Sequence, residues 1–198
     1  MEKVWFTSDN HFGHKNILKF CPETRMGKDA AEHDEIQIAN WQRQVGQNDH
    51  VYLLGDVFFC DAVRARSIMN RLPGQKHLIF GNHDKVIHSN KDLRDMFVSV
   101  QDYKEIRVGG QKIIMFHFPM LEWNHMHHGA FHLYGHVHGD HCASPLVTRG
   151  RMMDAGIDGR PDGEVQAYGP MSLWEFAQIN RIMSKRPIRT HHDNKDDE

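Results

Sequence analysis

The sequence predicts an α/β protein built as a single domain, and three observations lead to this prediction. Its 198 residues suit one domain with a sizeable core. In the first half, short apolar runs alternate with segments of helical periodicity, which indicates a parallel sheet with crossover helices. In the second half, two apolar runs flank Gly109-Gly110-Gln111, which predicts a hairpin and hence antiparallel strands. We expect residues 1–184 to form the domain and residues 185–198, which lack apolar periodicity, to form a disordered tail.

Helix signals in the first half separate three apolar strand candidates. Asp29 and Glu32 have the spacing of a capping box, and Ile38 and Trp41 give the helix that follows an apolar face for the core. Pro73-Gly74 ends the next helix. The predicted strands cover residues 4–7, 50–55 and 76–80, and the predicted helices cover residues 15–20, 29–45 and 61–72.

The second half is predicted to contain mostly strands. The hairpin arms at residues 104–108 and 112–116 follow a strand expected around residues 97–103. Ser172 and Glu175 have the spacing of a capping box that opens a final helix, with apolar residues at helical spacing as far as Met183. Two further strands are predicted at residues 131–135 and 152–157.

Charge, hydropathy and cysteine usage argue against nucleic acid and membranes as partners and against an oxidising compartment. The net charge of −2 provides no general attraction for nucleic acid or for an anionic membrane surface. No apolar run approaches the ~20 residues of a membrane span, and the start at Met1-Glu2-Lys3 does not resemble a signal peptide. Cys21, Cys60 and Cys142 form no CxxC pair and suit a reducing compartment. We therefore expect a cytoplasmic protein without a membrane partner, and nucleic acid is an open but disfavoured partner.

Polar side chains able to bind a metal or move a proton follow each predicted strand of the first half. Asp9 and His11 come after the first strand, two residues apart, so in an extended backbone they share one face. Asp56 follows the second strand, and Asn82-His83-Asp84 follows the third. Because the carboxyl ends of parallel strands meet at one edge of a sheet, we expect these side chains to lie together.

Histidines follow predicted strands in the second half in the same way. The whole chain contains 17 histidines, an unusually high number. His117 ends the second hairpin arm, and His136 and His138 follow the next strand. Each cluster alone is explained as well by an exposed polar loop, but recurrence at strand ends favours one shared site. The candidate ligands are Asp9, His11, Asp56, Asn82, His117, His136 and His138.

This ligand set is too large for one ion and suits two divalent cations about 3.5–4 Å apart. Imidazole, carboxylate and amide ligands without thiolate are typical of Mn, Fe, Zn, Co or Ni sites, and Mn is our first candidate. An all-oxygen calcium cage does not match the set.

The order of these motifs resembles the calcineurin-like metallophosphoesterase superfamily. The matching motifs are Asp9-Asn10-His11, Gly55-Asp56, Gly81-Asn82-His83-Asp84, His117 before Phe118-Pro119, and Gly135-His136-Val137-His138. The start, Ser8 to His14, resembles the Ser-Asp-x-His-Phe-Gly-His motif of compact bacterial and phage phosphoesterases. Two positions depart from the family pattern, since Phe116 stands where a small residue is common and Asp154 where Asn is frequent.

The resemblance implies a four-layer αββα sandwich, in which two mixed sheets pack face to face between helices. It also implies a role for each candidate ligand. Asp9, His11 and His138 would hold one metal, Asn82, His117 and His136 the other, and Asp56 would bridge them. His83 would be catalytic, contacting the phosphate and protonating the leaving oxygen, and Asp84 would orient it.

The implied activity is hydrolysis of a phosphoester by a hydroxide that bridges two metals. Small phosphodiesters, cyclic nucleotides among them, are the favoured substrates, and phosphomonoesters come second. Two alternatives from other classes stay open: a metal-binding scaffold and a nuclease component that acts with a partner. Three further residues are candidate substrate contacts with weaker support: Trp123, which could stack on a base, His14 and Arg25.

Overall fold

The computed structural model describes residues 2–139, 151–159, 169–172 and 174–175. The chain is an α/β sandwich of two mixed sheets with helices, as the sequence predicts. The predicted tail at residues 185–198 and most of the predicted final helix lie outside the described residues. None of the helices within the described ranges combines the length and the apolar character of a membrane span.

The first sheet has five strands in the order β4-β3-β2-β1-β9. Strands β1 to β4 run parallel, and β9 pairs antiparallel with β1. The strands are β1 (Val4–Thr7), β2 (His50–Leu53), β3 (Gln75–Ile79), β4 (Ser99–Gln101) and β9 (Met171–Ser172). The crossovers contain the helices α1 (Ile17–Phe20), α2 (Ala30–Gln44), α3 (Ala62–Arg71), α4 (Lys85–Ser89) and α5 (Lys91–Arg94).

Within the described residues, the second sheet has four strands in the order β5-β6-β7-β8. They are β5 (Tyr103–Val108), β6 (Gln111–Phe116), β7 (Phe131–Tyr134) and β8 (Met152–Asp154). The predicted hairpin joins β5 to β6, and Gly109 and Gly110 both have positive φ, which its tight two-residue turn requires. Within this sheet the expectation of antiparallel strands holds for the hairpin, whereas β7 and β8 continue the sheet in parallel with β6.

The strand predicted around residues 97–103 is divided between the two sheets. β4 ends at Gln101 on the edge of the first sheet, and β5 starts at Tyr103 in the second. Only Asp102 separates them, so the chain changes sheets here. A continuous apolar pattern carries no signal for such a change, because both strands have the same period.

Side chains alternate between the faces of the first sheet and divide the core into layers. Trp5, Val51 and Leu78 face the helices and pack with Ile38 and Trp41 of α2. Their neighbours along the strands form the layer between the two sheets: Phe6, Tyr52 and Ile79 pack with Ile113, Met115 and Leu133. The outer face of the second sheet is covered by the segment 120–130, which includes a 3₁₀ helix at Met126–His128.

Candidate metal centre

All seven predicted ligands lie at one edge of the sandwich, where the carboxyl ends of β1, β2, β3, β6 and β7 meet. Backbone hydrogen bonds fasten the loops to one another there. Asp9 N–H donates to the Gly55 carbonyl at 3.0 Å, and Gly135 N–H donates to the His117 carbonyl at 2.8 Å. His136 N–H donates to Asp9 Oδ2 at 2.9 Å, which ties a loop of the second sheet to a ligand of the first.

The first cluster consists of Asp9, His11 and His138, whose potential ligand atoms lie within 4.8 Å of one another. Asp9 Oδ1 is 3.9 Å from His11 Nε2 and 3.8 Å from His138 Nε2. Both Asp9 Oδ1 and His11 Nε2 are buried without a hydrogen-bond partner. Buried polar atoms are normally paired, so these two atoms fit a site for a cation.

The second cluster consists of Asp56, His117 and His136, with ligand atoms again within 4.8 Å of one another. Asp56 Oδ2 lies 3.6 Å from His117 Nε2. The Asn82 amide joins them, since its Oδ1 is 3.0 Å from His117 Nε2 and 3.1 Å from His136 Nδ1. The structure therefore brings all seven candidate ligands into two adjoining groups.

The backbone at these loops is held in a conformation that side chains disfavour. Six non-glycine residues among those described have positive φ, and five of them are predicted ligands: Asp9, His11, Asp56, His136 and His138. Left-handed backbone at non-glycine residues persists only where surrounding contacts impose it, and it clusters at functional sites. The strain is concentrated on the candidate centre.

Hydrogen bonds from the second ring nitrogen fix the orientation of two imidazoles. His117 Nδ1 donates to the Leu54 carbonyl at 2.6 Å, and His138 Nδ1 donates to Asp158 Oδ2 at 2.6 Å. Each bond leaves Nε2 directed at its cluster. This arrangement is typical of histidines that bind metals in proteins.

Asp158 is a site residue that sequence reasoning missed. Burial alone would lower the pKa of His138, but the hydrogen bond to Asp158, the Cys21 thiol and the charge of Asp9 together raise that pKa to about 10. Burial opposes ionisation of Asp158 as well, yet its pKa is lowered by His138 and Arg25. The spacing of 20 residues between His138 and Asp158 matches no periodic element, so only the folded chain reveals the pair.

The prediction that Arg25 contacts an anion is wrong. Arg25 is 4% exposed, and its Nε and Nη2 donate to Asp158 at 2.8 and 2.5 Å. Its Nη2 and Nη1 also donate to the backbone carbonyls of Asp9 and Asn10, respectively. Arg25 therefore fastens the loop after β1 to the segment that carries Asp158.

The idea that Trp123 stacks on a base is also wrong. Trp123 is 9% exposed and packs against Ile114, Tyr134 and Met152 on the outer face of the second sheet. Its Nε1 donates to the Ala130 carbonyl at 2.9 Å. The indole holds segment 120–130 on the sheet and is not available to a ligand.

His83 lies exposed beside the two clusters, and Asp84 is buried beneath them. His83 N–H donates to Asp56 Oδ1 at 2.8 Å. The Asp84 carboxylate accepts from the backbone N–H groups of Gly81, Asp56 and Val57 at 2.8, 3.0 and 2.9 Å. Burial raises the pKa of Asp84 to about 6 despite these donors. The Asp84 carboxylate thus holds the loop after β2 and the loop after β3 together through their backbones.

Asp154, where the resemblance would favour Asn, is buried and bonds only to backbone in the contacts described. Its carboxylate accepts from Gly156 N–H at 2.7 Å and from Gly139 N–H at 3.0 Å. Burial, with the nearby charge of Asp9, raises the pKa of Asp154 to about 7. It supports the loop after His138.

A cleft of about 810 Å³ opens over both clusters. Its floor includes His11, Asp56, His136 and His138, and His83 lies on its wall. This volume lies within the range of small-molecule sites. The arrangement can hold two cations beneath a ligand and place an imidazole beside it.

Comparisons with known proteins find sequence relatives that align over most of the chain and a solved structure with a similar fold. No protein-family model matches the chain. The crystal structure of protein AQ665 of unknown function from Aquifex aeolicus superimposes with a TM-score of 0.68, at 26% identity, over 90% of this chain and 100% of that one. Gene 66 protein of Mycobacterium phage D29 is 31% identical and covers 80% of this chain and 89% of its own.

The similarity is more extensive in uncharacterized protein MJ1445 of Methanocaldococcus jannaschii. The two sequences are 30% identical over 197 residues. The alignment covers 98% of each chain, so it includes every candidate ligand loop. The chain therefore belongs to the same family as MJ1445 and the phage D29 Gene 66 protein.

Proposed function

We propose that this protein is a metal-dependent phosphoesterase that hydrolyses small phosphoesters, with phosphodiesters favoured over phosphomonoesters. One observation carries the proposal: Asp9 Oδ1 and His11 Nε2 are buried without a hydrogen-bond partner in the cluster that they form with His138, and His11 and His138 line the cleft. The motif order that resembles the metallophosphoesterase superfamily supports it independently of the geometry.

Divalent cations fit the donor set. Asp9, His11 and His138 would hold one, and Asn82, His117 and His136 the other, with Asp56 between them. Nitrogen and oxygen donors without thiolate suit Mn first, and also Fe, Zn, Ni or Co. When bound, such cations neutralise phosphoryl charge and lower the pKa of water by many units.

The chain itself would supply orientation and one proton. His83, exposed on the cleft wall, would contact the phosphoryl group and donate a proton to the departing oxygen. Asp56 Oδ1 accepts from His83 N–H, so the residue proposed to lie between the metals also anchors the proton donor. Asp84 would fix that geometry through Gly81, Asp56 and Val57.

The proposal is tested by hydrolysis of bis-p-nitrophenyl phosphate and p-nitrophenyl phosphate with metal-stripped protein, before and after addition of Mn²⁺. We expect cleavage of the diester only after Mn²⁺ is added. A preference for the monoester would make the enzyme a phosphatase. If neither ester is cleaved although two metals bind per chain, the result would indicate either a narrow natural substrate or a binding role.

A further inference from the structure

One wall of the cleft is apolar and lies outside the predicted metal ligands. It is formed by Phe20, Pro22 and Phe59, which we call the apolar shelf. Phe20 is 68% exposed, although it follows Ile17, which anchors the short helix α1 at 2% exposure. An exposed phenyl ring that lines a cleft together with other apolar residues is typical of a ligand-binding surface.

Ring contacts connect the apolar shelf directly to the candidate catalytic groups. Phe20 lies edge-on to His14, with 5.8 Å between ring centroids. His14 stacks on Phe59 at 4.3 Å and 13°, and Phe59 lies 5.0 Å from the ring of His83. A molecule whose phosphoryl group sits beside His83 can therefore extend along these rings and reach Phe20.

The charge of this wall limits what can lie on it. Glu23, next in the chain to Pro22 of the shelf, also lines the cleft. Among the described residues that line the cleft, none is Lys or Arg. Within the described part of the chain, positive charge for a phosphoryl group would come from the metals and from the proton donor His83, whereas further phosphates would approach the Glu23 carboxylate. The wall thus favours an uncharged organic group over a polyanion such as a nucleic acid.

We infer that the apolar shelf is a subsite for a planar aromatic group of the phosphoester, with Phe20 stacking on that group. The inference rests on the proposed phosphoesterase function and adds the chemical class of the substrate's organic part. Alanine substitution of an aromatic side chain that stacks on a base weakens binding by about 5- to 150-fold. Removal of the Phe20 ring should therefore weaken binding of an aromatic ligand about tenfold or more.

The test uses 3-phenylpropylphosphonate and propylphosphonate, which have the same headgroup and a C–P bond that hydrolysis does not cleave. Dissociation constants are measured by titration calorimetry with the full chain and Mn²⁺. We expect the aromatic ligand to bind the unchanged protein about tenfold more tightly than the alkyl ligand. Phe20→Ala should abolish most of this difference and leave the affinity for propylphosphonate unchanged.

Two further variants separate stacking from general apolar contact. Phe20→Tyr keeps the ring and should retain the preference, whereas Phe20→Leu keeps apolar surface without a ring and should lose most of it. Val63→Ala is the control, since Val63 is 81% exposed on α3 and does not line the cleft. It should leave both affinities unchanged.

The outcomes distinguish failure of the subsite from failure of the function. Equal binding of the two phosphonates, or a preference that survives Phe20→Ala, would overturn the subsite while the metal centre still binds the headgroup. Absence of binding by propylphosphonate with Mn²⁺ present would overturn the proposed function, and the subsite with it.

Discussion

At the residue scale, the histidines of the centre differ in what holds the second nitrogen of each ring. The backbone carbonyl of Leu54, the residue after β2, accepts a hydrogen bond from the His117 ring. The carboxylate of Asp158 accepts the corresponding hydrogen bond from the His138 ring. His11 Nδ1 instead meets His14 Nδ1 at 3.0 Å. A carboxylate behind the ring increases the basicity of the opposite nitrogen, so His138 should be the ligand most sensitive to its partner.

Asp158→Asn should weaken metal binding about 10- to 100-fold, because the charge that orients and polarises His138 is removed. The Asn amide has nearly the same shape as the carboxylate and can still form hydrogen bonds. A thermal melt checks that the protein remains folded without the negative charge that faces Arg25. Metal affinity is measured by competition with a chelating dye. Glu23→Gln removes an exposed carboxylate at the cleft rim and serves as the control. Equal affinities for Asp158→Asn and the unchanged protein would remove Asp158 from the centre.

His83→Ala should leave both metals bound and slow the cleavage of esters with poor leaving groups by about 10²–10⁴-fold. The reason is that such a leaving oxygen needs a proton, whereas p-nitrophenolate departs without one. The measurement compares kcat of the variant and the unchanged protein for alkyl esters and for p-nitrophenyl esters. The metal content of both proteins is determined as well. Loss of metal in this variant would make His83 a ligand and contradict its proposed role.

At the scale of single elements, α2 supports the loop that carries the first two candidate ligands. Gln37 Nε2 donates to the Asn10 carbonyl at 2.9 Å, and Gly13 N–H donates to Asp34 Oδ1 at 2.8 Å. The helix is fixed at its start by Asp29, whose carboxylate accepts from Ala31 N–H and Glu32 N–H. The predicted capping residue is therefore confirmed, although Glu32 reaches back to Lys28 N–H.

Asp29→Ala should lower the free energy of unfolding by about 1 kcal/mol, because two N–H groups at the start of α2 lose their acceptor. Urea denaturation at neutral pH measures this change. Lys28→Ala, which alters the neighbouring exposed side chain and leaves the cap intact, should change the stability much less. An equal effect of the two variants would argue against the cap.

At the scale of the whole molecule, His132 holds the loop after β6 on the second sheet. Its ring is fully buried, with Nδ1 donating to the Ile114 carbonyl at 3.3 Å and Nε2 accepting from Met120 N–H at 3.1 Å. Burial lowers the pKa of His132 to about 4, against the ordinary value of 6.5. The folded protein therefore requires the neutral ring.

The unfolding free energy should fall as the pH decreases from about 6.5 to about 4. In this window the unfolded chain protonates His132 and the folded chain does not, so acid favours unfolding. The full pKa shift of His132 corresponds to roughly 3 kcal/mol of unfolding free energy. This contribution is lost completely only below pH 4. Urea denaturation of metal-free protein at several pH values, compared with His132→Gln, isolates this contribution. Parallel pH profiles for the two proteins would contradict it.

Local patterns in the sequence predicted most elements of the first sheet. β1 has the predicted bounds, and Asp61 caps α3 by accepting from Arg64 N–H. The capping box also forms, since Glu175 accepts from Ser172 N–H and Oγ. These features depend on neighbours within four residues, which is the range over which propensity and capping operate. The short helices α4 and α5 and the strand β9 were missed, because segments of two to five residues carry little periodic signal.

The sequence by itself determined which polar side chains stand at the ends of the strands. The structure brings six of the seven candidates into two clusters, and Asn82 contacts His117 and His136 of the second. Only the tertiary structure decided their surroundings. It paired His138 with Asp158, turned Arg25 inward, buried Trp123 and exposed Phe20 beside the cleft. The physical reason is that burial and hydrogen-bond partners depend on segments far apart in the chain, whereas a sequence pattern records only near neighbours.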